Sequence, residues 1–244
     1  VGNHSHEHEP WLHTYEPSAL EAEIRTAEEA IHSATGQRPM GFRGPGFSWS
    51  PTLLGVLAGR AYLYDASTFP SFLGPLARQY YFRTAKLSAE DRRQREMLFG
   101  SVREGLRPNQ PYYWQLPDGH KLLEIPVTTM PYLKAPFHLS YLLFLARYSE
   151  KAMEAYLKLA IGLCRFADVE PSFLLHPLDL LGAEDAPELR FFPGMDIGRE
   201  KKARLFDRAL AILGDHFELV RMSTHARSIL SRHGLSSHVP VLAS

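Results

Sequence analysis

The chain has 244 residues, 45% hydrophobic and 22% charged, which is ordinary for a globular protein and sufficient for one large α/β domain. Its 27 acidic and 27 basic side chains balance to a net charge of zero, so no basic field indicates a nucleic-acid partner. The single cysteine, Cys164, excludes an internal disulfide. No apolar window is long enough to span a membrane and no signal peptide is evident, so the localisation stays open between the cytoplasm and the cell envelope.

The N-terminal part of the chain alternates helix and strand patterns. Helical spacing of apolar residues predicts a helix over residues 17–35, which Gly36 closes and a capping box of Ser18 and Glu21 opens. The pattern then predicts, in order, a strand, a helix and a strand, over residues 40–43, 51–57 and 61–65. This alternation favours a parallel sheet or a barrel.

The pattern changes over residues 69–120, approximately, where prolines alternate with aromatic residues and a charged run occupies residues 90–96. This composition is too aromatic for a disordered linker and indicates an insertion. Its aromatic side chains are expected to stack on sugar rings or to fill a second small core. Beyond the insertion the pattern predicts strands over residues 122–128, 173–176 and 217–222, and helices over residues 136–148, 150–166, 200–213 and 224–230. Residues 1–235 are therefore expected to form one domain, with a flexible tail at 236–244.

Two histidines at the start of the chain form the first candidate for chemistry. His4 and His8 have three residues between them and follow a Gly-Asn turn, so both imidazoles can face one divalent metal. Imidazole suits zinc, and a catalytic zinc keeps three protein ligands and a water. Because the chain holds 12 histidines and His6 lies between the pair, a flexible His-rich segment with no ligand role is the alternative.

Three further motifs follow this pair in order. The chain reads GFRGPGFS over residues 41–48, YLYDAS over 62–67 and FLLHPLDLLG over 173–182. The ordered set resembles the NodB-homology polysaccharide deacetylases, carbohydrate esterase family four. The resemblance implies a distorted (β/α) barrel and a hydrolase that removes N-acetyl groups from a glycan, with a zinc-activated water attacking the amide carbonyl.

By this resemblance, His4 and His8 are ligands of zinc, or of another divalent metal, and Ser5 supports them. Arg43 holds the catalytic aspartate by charge-assisted hydrogen bonds. Gly46 offers a backbone N–H to the oxyanion, and Phe47 is the aromatic side chain of the turn. A surface ion pair is the alternative role of Arg43.

The later motifs are expected to supply the proton chemistry. By resemblance, Asp65 tunes the late histidine, His176 protonates the leaving amine, and Leu175 contacts the acetyl methyl group together with Leu178. The alternatives are a strand-ending turn for Asp65, a structural role for His176, and a turn-capping role for Asp179.

The paired aspartates of the family's first motif, which supply the general base and the third metal ligand, would precede the histidine motif. The sequence therefore predicts a domain that is incomplete at its N-terminus and that binds zinc weakly as it stands. The expected partner is an N-acetylated glycan, and no nucleic acid is expected. Alternatives are a carbohydrate-binding relative without catalysis, a metal-independent amide hydrolase, and a deacylase of a lipid-linked sugar. In the last case the apolar residues 132–148 would make a peripheral membrane contact, although a buried core helix explains them as well.

Overall fold

The computed structural model describes residues 1–73, 102–190 and 194–241. The helices and strands in these residues follow one another in the order α1 (Pro17–Thr35), β1 (Gly41–Phe42), α2 (Pro51–Gly59), β2 (Tyr64–Asp65), β3 (Tyr112–Gln115), β4 (Lys121–Glu124), α3 (Leu139–Ala146), α4 (Glu150–Phe166), α5 (Arg199–Gly214), α6 (Met222–Leu230) and β5 (Ser237–His238). Among the described residues, no helix combines the length and apolar character that crossing a bilayer requires.

The strands form one mixed sheet in the order β1-β2-β4-β3-β5. Strands β1, β2 and β4 run parallel, with Phe42 opposite Asp65 and Asp65 opposite Glu124. A parallel bridge joins Asn3 to Phe42 and extends this parallel part by one position. The sheet does not close on itself within the described residues. Because the carboxyl ends of parallel strands meet at one edge, the residues that follow Asn3, Phe42 and Asp65 lie along the same edge of the sheet.

The described chain separates into two compact units, Val1–Val127 with Arg221–Ser244, and Thr128–Val220. We call them the sheet unit and the helical unit. The sheet unit holds all five strands, α1, α2 and α6, and its core includes Leu20, Ile24, Leu54 and the fully buried Trp114. Burial of such side chains is the main favourable contribution to folding.

The helical unit is built from α3, α4 and α5, which pack on one another. Helix α4 presents Met153, Leu157, Ile161 and Cys164 to the core at helical spacing, as its sequence pattern predicts. Ser149 caps this helix by accepting a hydrogen bond from the Ala152 N–H at 3.2 Å. The unit therefore has a hydrophobic core of its own.

Most predicted elements are present, with some differences. Residues 173–176 and 217–222 were expected as strands, but the former are irregular and the latter lead irregularly into α6. Helix α1 begins at Pro17, and the residue before it, Glu16, makes no capping hydrogen bond with its side chain. The predicted capping box of Ser18 and Glu21 is therefore wrong. Gly36 ends the helix in the left-handed conformation, as predicted.

The predicted insertion and tail both contribute strands to the sheet. Tyr112 and Trp114 of β3 are fully buried, so these aromatics fill the core of the sheet unit. Strand β5 pairs in parallel with β3, although its residues were expected to be part of a flexible tail. The aromatic residues 80–82 and the charged run 90–96 lie outside the described residues.

Candidate functional site

The histidine motif begins directly after Asn3, which is buried beside β1. The Asn3 side-chain amide donates to the carbonyl of Ile24 at 3.1 Å and to the Tyr62 hydroxyl at 2.8 Å. Its carbonyl oxygen accepts the Ser5 N–H at 2.9 Å. Asn3 therefore ties the first turn of the motif to both α1 and the segment before β2.

The loop that carries the two histidines is held by internal and helix-derived acceptors. Ser5 and His8 both have positive φ angles, 63° and 60°, which side chains with a Cβ adopt only when their surroundings enforce them. Ser5 Oγ accepts the His8 N–H at 3.1 Å. From α1, the buried Glu23 accepts the N–H groups of both His6 and Glu7 on Oε1, each at 2.7 Å. One carboxylate therefore satisfies two backbone donors of the loop.

The rings of His4 and His8 lie close together on this loop. Their centroids are 4.9 Å apart and their planes are inclined by 68°. His4 Nδ1 lies 2.5 Å from the carbonyl oxygen of Arg43. Because a carbonyl only accepts, Nδ1 carries the proton, and a neutral His4 ring has its lone pair on Nε2. A backbone partner on one ring nitrogen is the arrangement that orients metal-ligating histidines.

This donor set fits two positions of a zinc site. The rings are close enough for both to face one ion, and imidazole nitrogen is a ligand that zinc accepts. Within residues 1–73, 102–190 and 194–241, no cluster of three or more histidine, cysteine or acidic side chains is arranged to hold a metal. Among the described residues, the structure thus brings together two candidate ligands, His4 and His8, without a third acidic, histidine or cysteine side chain arranged beside them.

The loop after β1 lies beside the histidine motif. The Arg43 N–H donates to the Asn3 carbonyl at 3.1 Å, and Arg43 Nε donates to the Ala66 carbonyl at 2.9 Å. The Gly44 N–H donates to Ser67 Oγ at 2.8 Å. A Cβ on Gly44 would lie 1.9 Å from the carbonyl oxygen of Ser48, so only glycine permits this close approach of the backbone.

The turn Pro45–Phe47, which we call the oxyanion turn after its predicted role, contains Gly46, the predicted oxyanion donor. Gly46 and Phe47 have φ angles of 58° and 62°. The Phe47 N–H is used in the turn, donating to Gly44 at 3.1 Å, whereas the Gly46 N–H donates no hydrogen bond to the residues that the structure describes. The Phe47 ring stacks on Phe69, with centroids 4.7 Å apart and planes inclined by 18°. The turn therefore offers one backbone donor beside a stacked aromatic pair.

Asp65 is completely buried at the end of β2, opposite Glu124 in the parallel register. Its Oδ1 accepts the Ser67 hydroxyl at 2.6 Å, and its Oδ2 has no hydrogen-bond partner among the described residues. Burial, and then the charge of Glu124, raise the pKa of the Asp65 carboxyl well above its ordinary value. Asp65 and Glu124 therefore form a buried carboxyl pair in which Asp65 favours its neutral form.

The charge of Arg43 interacts with this pair. Desolvation lowers the pKa of the Arg43 guanidinium, and the charges of Asp65 and Glu124 act in the opposite direction. Glu124 is itself fully hydrogen-bonded, with Oε1 accepting from the Thr68 hydroxyl at 2.6 Å and Oε2 from Trp114 Nε1 at 3.0 Å. The arrangement links Asp65 through Ser67 to the Gly44 N–H, and so to the backbone of the oxyanion turn.

His176 and Leu175 belong to the helical unit. Leu175 is 41% exposed, and the His176 side chain is 46% exposed. His176 Nδ1 lies 3.1 Å from Ser140 Oγ and 3.5 Å from Asp179 Oδ2. Asp179 also caps the turn Pro177–Asp179, which it ends, by accepting the His176 N–H at 2.9 Å. Asp179 is thus the carboxylate that faces His176 within its own unit.

The structure places five further residues in contact with predicted ones: Asn3, Glu23, Ser67 and Glu124 in the sheet unit, and Ser140 in the helical unit. Glu124 had a signal in the sequence, since a charged residue inside an apolar strand is seldom buried without a partner. Glu23 lies on the helix face that carries Leu20 and Ile24, which indicates burial but not its acceptors. Ser140 lies 36 residues before His176 and had no comparable signal.

Residues 1–62 match a family model described as polysaccharide deacetylase. This segment contains the histidine motif and the oxyanion turn, so the resemblance predicted from the sequence is confirmed there. Over the whole chain, the fold is similar to a crystal structure described as a candidate polysaccharide deacetylase from Mycobacterium smegmatis, with a TM-score of 0.53 and 17% identity. That match covers 100% of this chain and 66% of the other, and it confirms the α/β fold class. A search of curated proteins finds no significant match.

Proposed function

We propose that the protein is a metal-dependent polysaccharide deacetylase that hydrolyses the N-acetyl amide of a glycan. The observation that carries this proposal is the pair of imidazole rings of His4 and His8, 4.9 Å apart on a loop tied to the carboxyl edge of the parallel strands. This loop lies inside the segment that matches the polysaccharide deacetylase family model. Catalytic groups gather at such an edge in α/β proteins.

His4 and His8 would hold zinc or another divalent ion by their ring nitrogens. An ion bound there would polarise the amide carbonyl and lower the pKa of a bound water. The Arg43 carbonyl fixes the His4 ring, and Glu23 fixes the backbone between the two histidines. These contacts reduce the conformational freedom that binding would otherwise remove.

The turn Pro45–Phe47 would stabilise the oxyanion. The Gly46 N–H is available as a donor within the described part of the chain, and backbone donors directed at developing negative charge lower the barrier of acyl transfer. Arg43 adds positive charge beside the turn, while Ser67 and Asp65 hold the Gly44 backbone. The stacked rings of Phe47 and Phe69 would form an apolar contact for the sugar. The role of Asp65 in tuning the late histidine stays a prediction.

His176 would donate a proton to the leaving amine, because an amine leaves readily only after protonation. Leu175, exposed and adjacent in sequence, would contact the acetyl methyl group. The proposed partner is accordingly an N-acetylated glycan. Peripheral membrane contact remains a prediction, with Tyr132, Leu133 and Tyr148 as the exposed apolar side chains of residues 132–148.

The test is acetate release from oligomers of N-acetylglucosamine by the natural full-length protein. We expect release that stops after metal chelation and returns when zinc is added. Release that is unaffected by chelation would contradict the metal dependence. Binding of the oligomers without release of acetate would instead identify a carbohydrate-binding relative.

A further inference from the structure

In the helical unit, the side chains of His176, Ser140 and Asp179 form a hydrogen-bonded cluster. Ser140 lies near the start of α3, and Asp179 ends the turn that follows the histidine. Ser140 Oγ is 3.1 Å from His176 Nδ1 and 2.7 Å from Asp179 Oδ1. The serine hydroxyl therefore connects the imidazole ring to a carboxylate that is 5% exposed.

The hydrogen-bond roles in this cluster follow from the charge of Asp179. Burial raises the pKa of this carboxyl, but hydrogen bonds from His176 and Ser140 outweigh burial, and its pKa lies below the ordinary value. At neutral pH Asp179 is thus ionised and only accepts, so the Ser140 hydroxyl donates to it. Ser140 Oγ then accepts from His176, which requires a proton on Nδ1.

Hydrogen bonds fix both Asp179 and the backbone on either side of it. Its Oδ2 accepts the His176 N–H at 2.9 Å, which fixes the turn between the two residues. The buried ammonium of Lys202 donates to the carbonyls of Leu178 and Leu181, at 2.7 and 2.6 Å, on either side of Asp179 in the chain. Capping of the turn explains the hydrogen bond that Asp179 Oδ2 accepts. It does not explain the hydrogen bonds that connect Oδ1 through Ser140 to the imidazole ring of His176.

We propose that Ser140 and Asp179 are positioning residues that keep the Nδ1 proton of His176 in place, so that Nε2 is the nitrogen that exchanges a proton with the substrate. This inference rests on the proposed function. In the proton transfer the Nε2–H bond of the imidazolium breaks, its electron pair stays on Nε2, and a new N–H bond forms on the leaving amine. The neutral ring that remains is the Nδ1–H tautomer, already hydrogen-bonded to Ser140, so no ring rotation is needed.

The direct test is ¹⁵N NMR of the His176 ring in the full-length protein, with the resonances assigned through a His176→Gln variant. We expect the neutral wild-type ring to be the Nδ1–H tautomer. Ser140→Ala, and Ser140→Ala combined with Asp179→Asn, should shift the population towards Nε2–H, whereas Ser140→Thr keeps a hydroxyl and should retain the wild-type tautomer. Ser149→Ala is the matched control, since that serine caps α4 by bonding Ala152.

An Nε2–H tautomer in the wild type, or no change in the double variant, would overturn the inference. In the active enzyme, Ser140→Ala should lower kcat about tenfold to hundredfold with KM unchanged, since the proton donor is misplaced but binding is not. Another outcome is that the tautomer shifts as expected while neither the wild type nor any variant releases acetate. In that case the hydrogen-bond role of Ser140 and Asp179 stands and the proposed function fails.

Discussion

At the scale of single residues, buried carboxylates organise the sheet unit. Glu23 accepts two backbone N–H groups of the histidine loop, while Asp65 and Glu124 lie opposite each other in the parallel register of β2 and β4. The two environments have different consequences. Glu23 stabilises the loop by accepting two backbone N–H groups, whereas burial raises the pKa of Asp65 and so favours its neutral form.

Replacing Glu23 with alanine should weaken the histidine loop. The change leaves the His6 and Glu7 N–H groups without their acceptor, so the free energy of unfolding should fall by about 1–3 kcal/mol. Zinc affinity should fall roughly 10–100-fold, because the ligand backbone loses its support. Urea unfolding and zinc titration calorimetry measure the two effects. Glu29→Ala, which removes only an exposed ion pair with Arg25 on the same helix, is the control and should change neither. Equal behaviour of the two variants would contradict the role of Glu23.

Asp65 predicts a pH dependence of stability. Its pKa is higher in the folded than in the unfolded state, so the folded protein binds more protons, and stability falls as pH rises from the unfolded pKa through the folded pKa. Asp65→Asn mimics the neutral acid and keeps an oxygen for the Ser67 hydroxyl. Urea unfolding at pH 5 and pH 8 should therefore show a smaller loss of stability for this variant than for the wild type. Parallel losses in both proteins would show that Asp65 is ionised in the fold.

At the scale of elements, the carboxyl ends of short parallel strands bring the motifs of the sheet unit together. The helix–strand alternation of residues 17–65 predicts this arrangement, because the hydrophobic period and the glycine and proline punctuation are local signals. The strand expected at 173–176 is not formed. The prediction failed because a short apolar run in a sequence does not distinguish a strand from a buried irregular segment. The pairing of Asp65 with Glu124, and the reach of Glu23 to the loop, depend on contacts between residues far apart in the chain, which periodicity does not encode.

Substitution by alanine is expected to have opposite effects on stability at Gly44 and Gly55. A Cβ on Gly44 would lie 1.9 Å from a backbone carbonyl oxygen, whereas a Cβ on Gly55, within α2, meets open space. Gly44→Ala should therefore destabilise the protein and lower acetate release, because the oxyanion turn must shift. Gly55→Ala should raise the free energy of unfolding by about 0.5–1 kcal/mol through helix propensity and leave acetate release unchanged. Thermal unfolding and acetate release measured together check both outcomes, and a Gly44→Ala protein with wild-type values would contradict the described turn.

At the scale of the whole molecule, two compact units with separate cores divide the predicted chemistry. The sheet unit carries the histidine pair and the oxyanion turn, and the helical unit carries His176 with Ser140 and Asp179. The α/β class follows from the order of the elements in the sequence. The division into units was not predicted, because a core boundary depends on which distant apolar faces meet.

The proposed metal site at His4 and His8 can be examined in the whole protein. The measurement that tests it most directly is the zinc content and zinc affinity of the natural full-length protein, compared with its His8→Ala and His6→Ala variants. His6 lies in the same loop, and its side chain lies at the surface with Nε2 3.5 Å from Glu7 Oε1. Its backbone hydrogen bond to Glu23 does not depend on the side chain, so His6→Ala is the matched control. We predict that His8→Ala loses tightly bound zinc and acetate release together, while His6→Ala keeps both. Wild-type zinc content and activity in the His8→Ala protein would show that His8 is not a ligand of the catalytic metal.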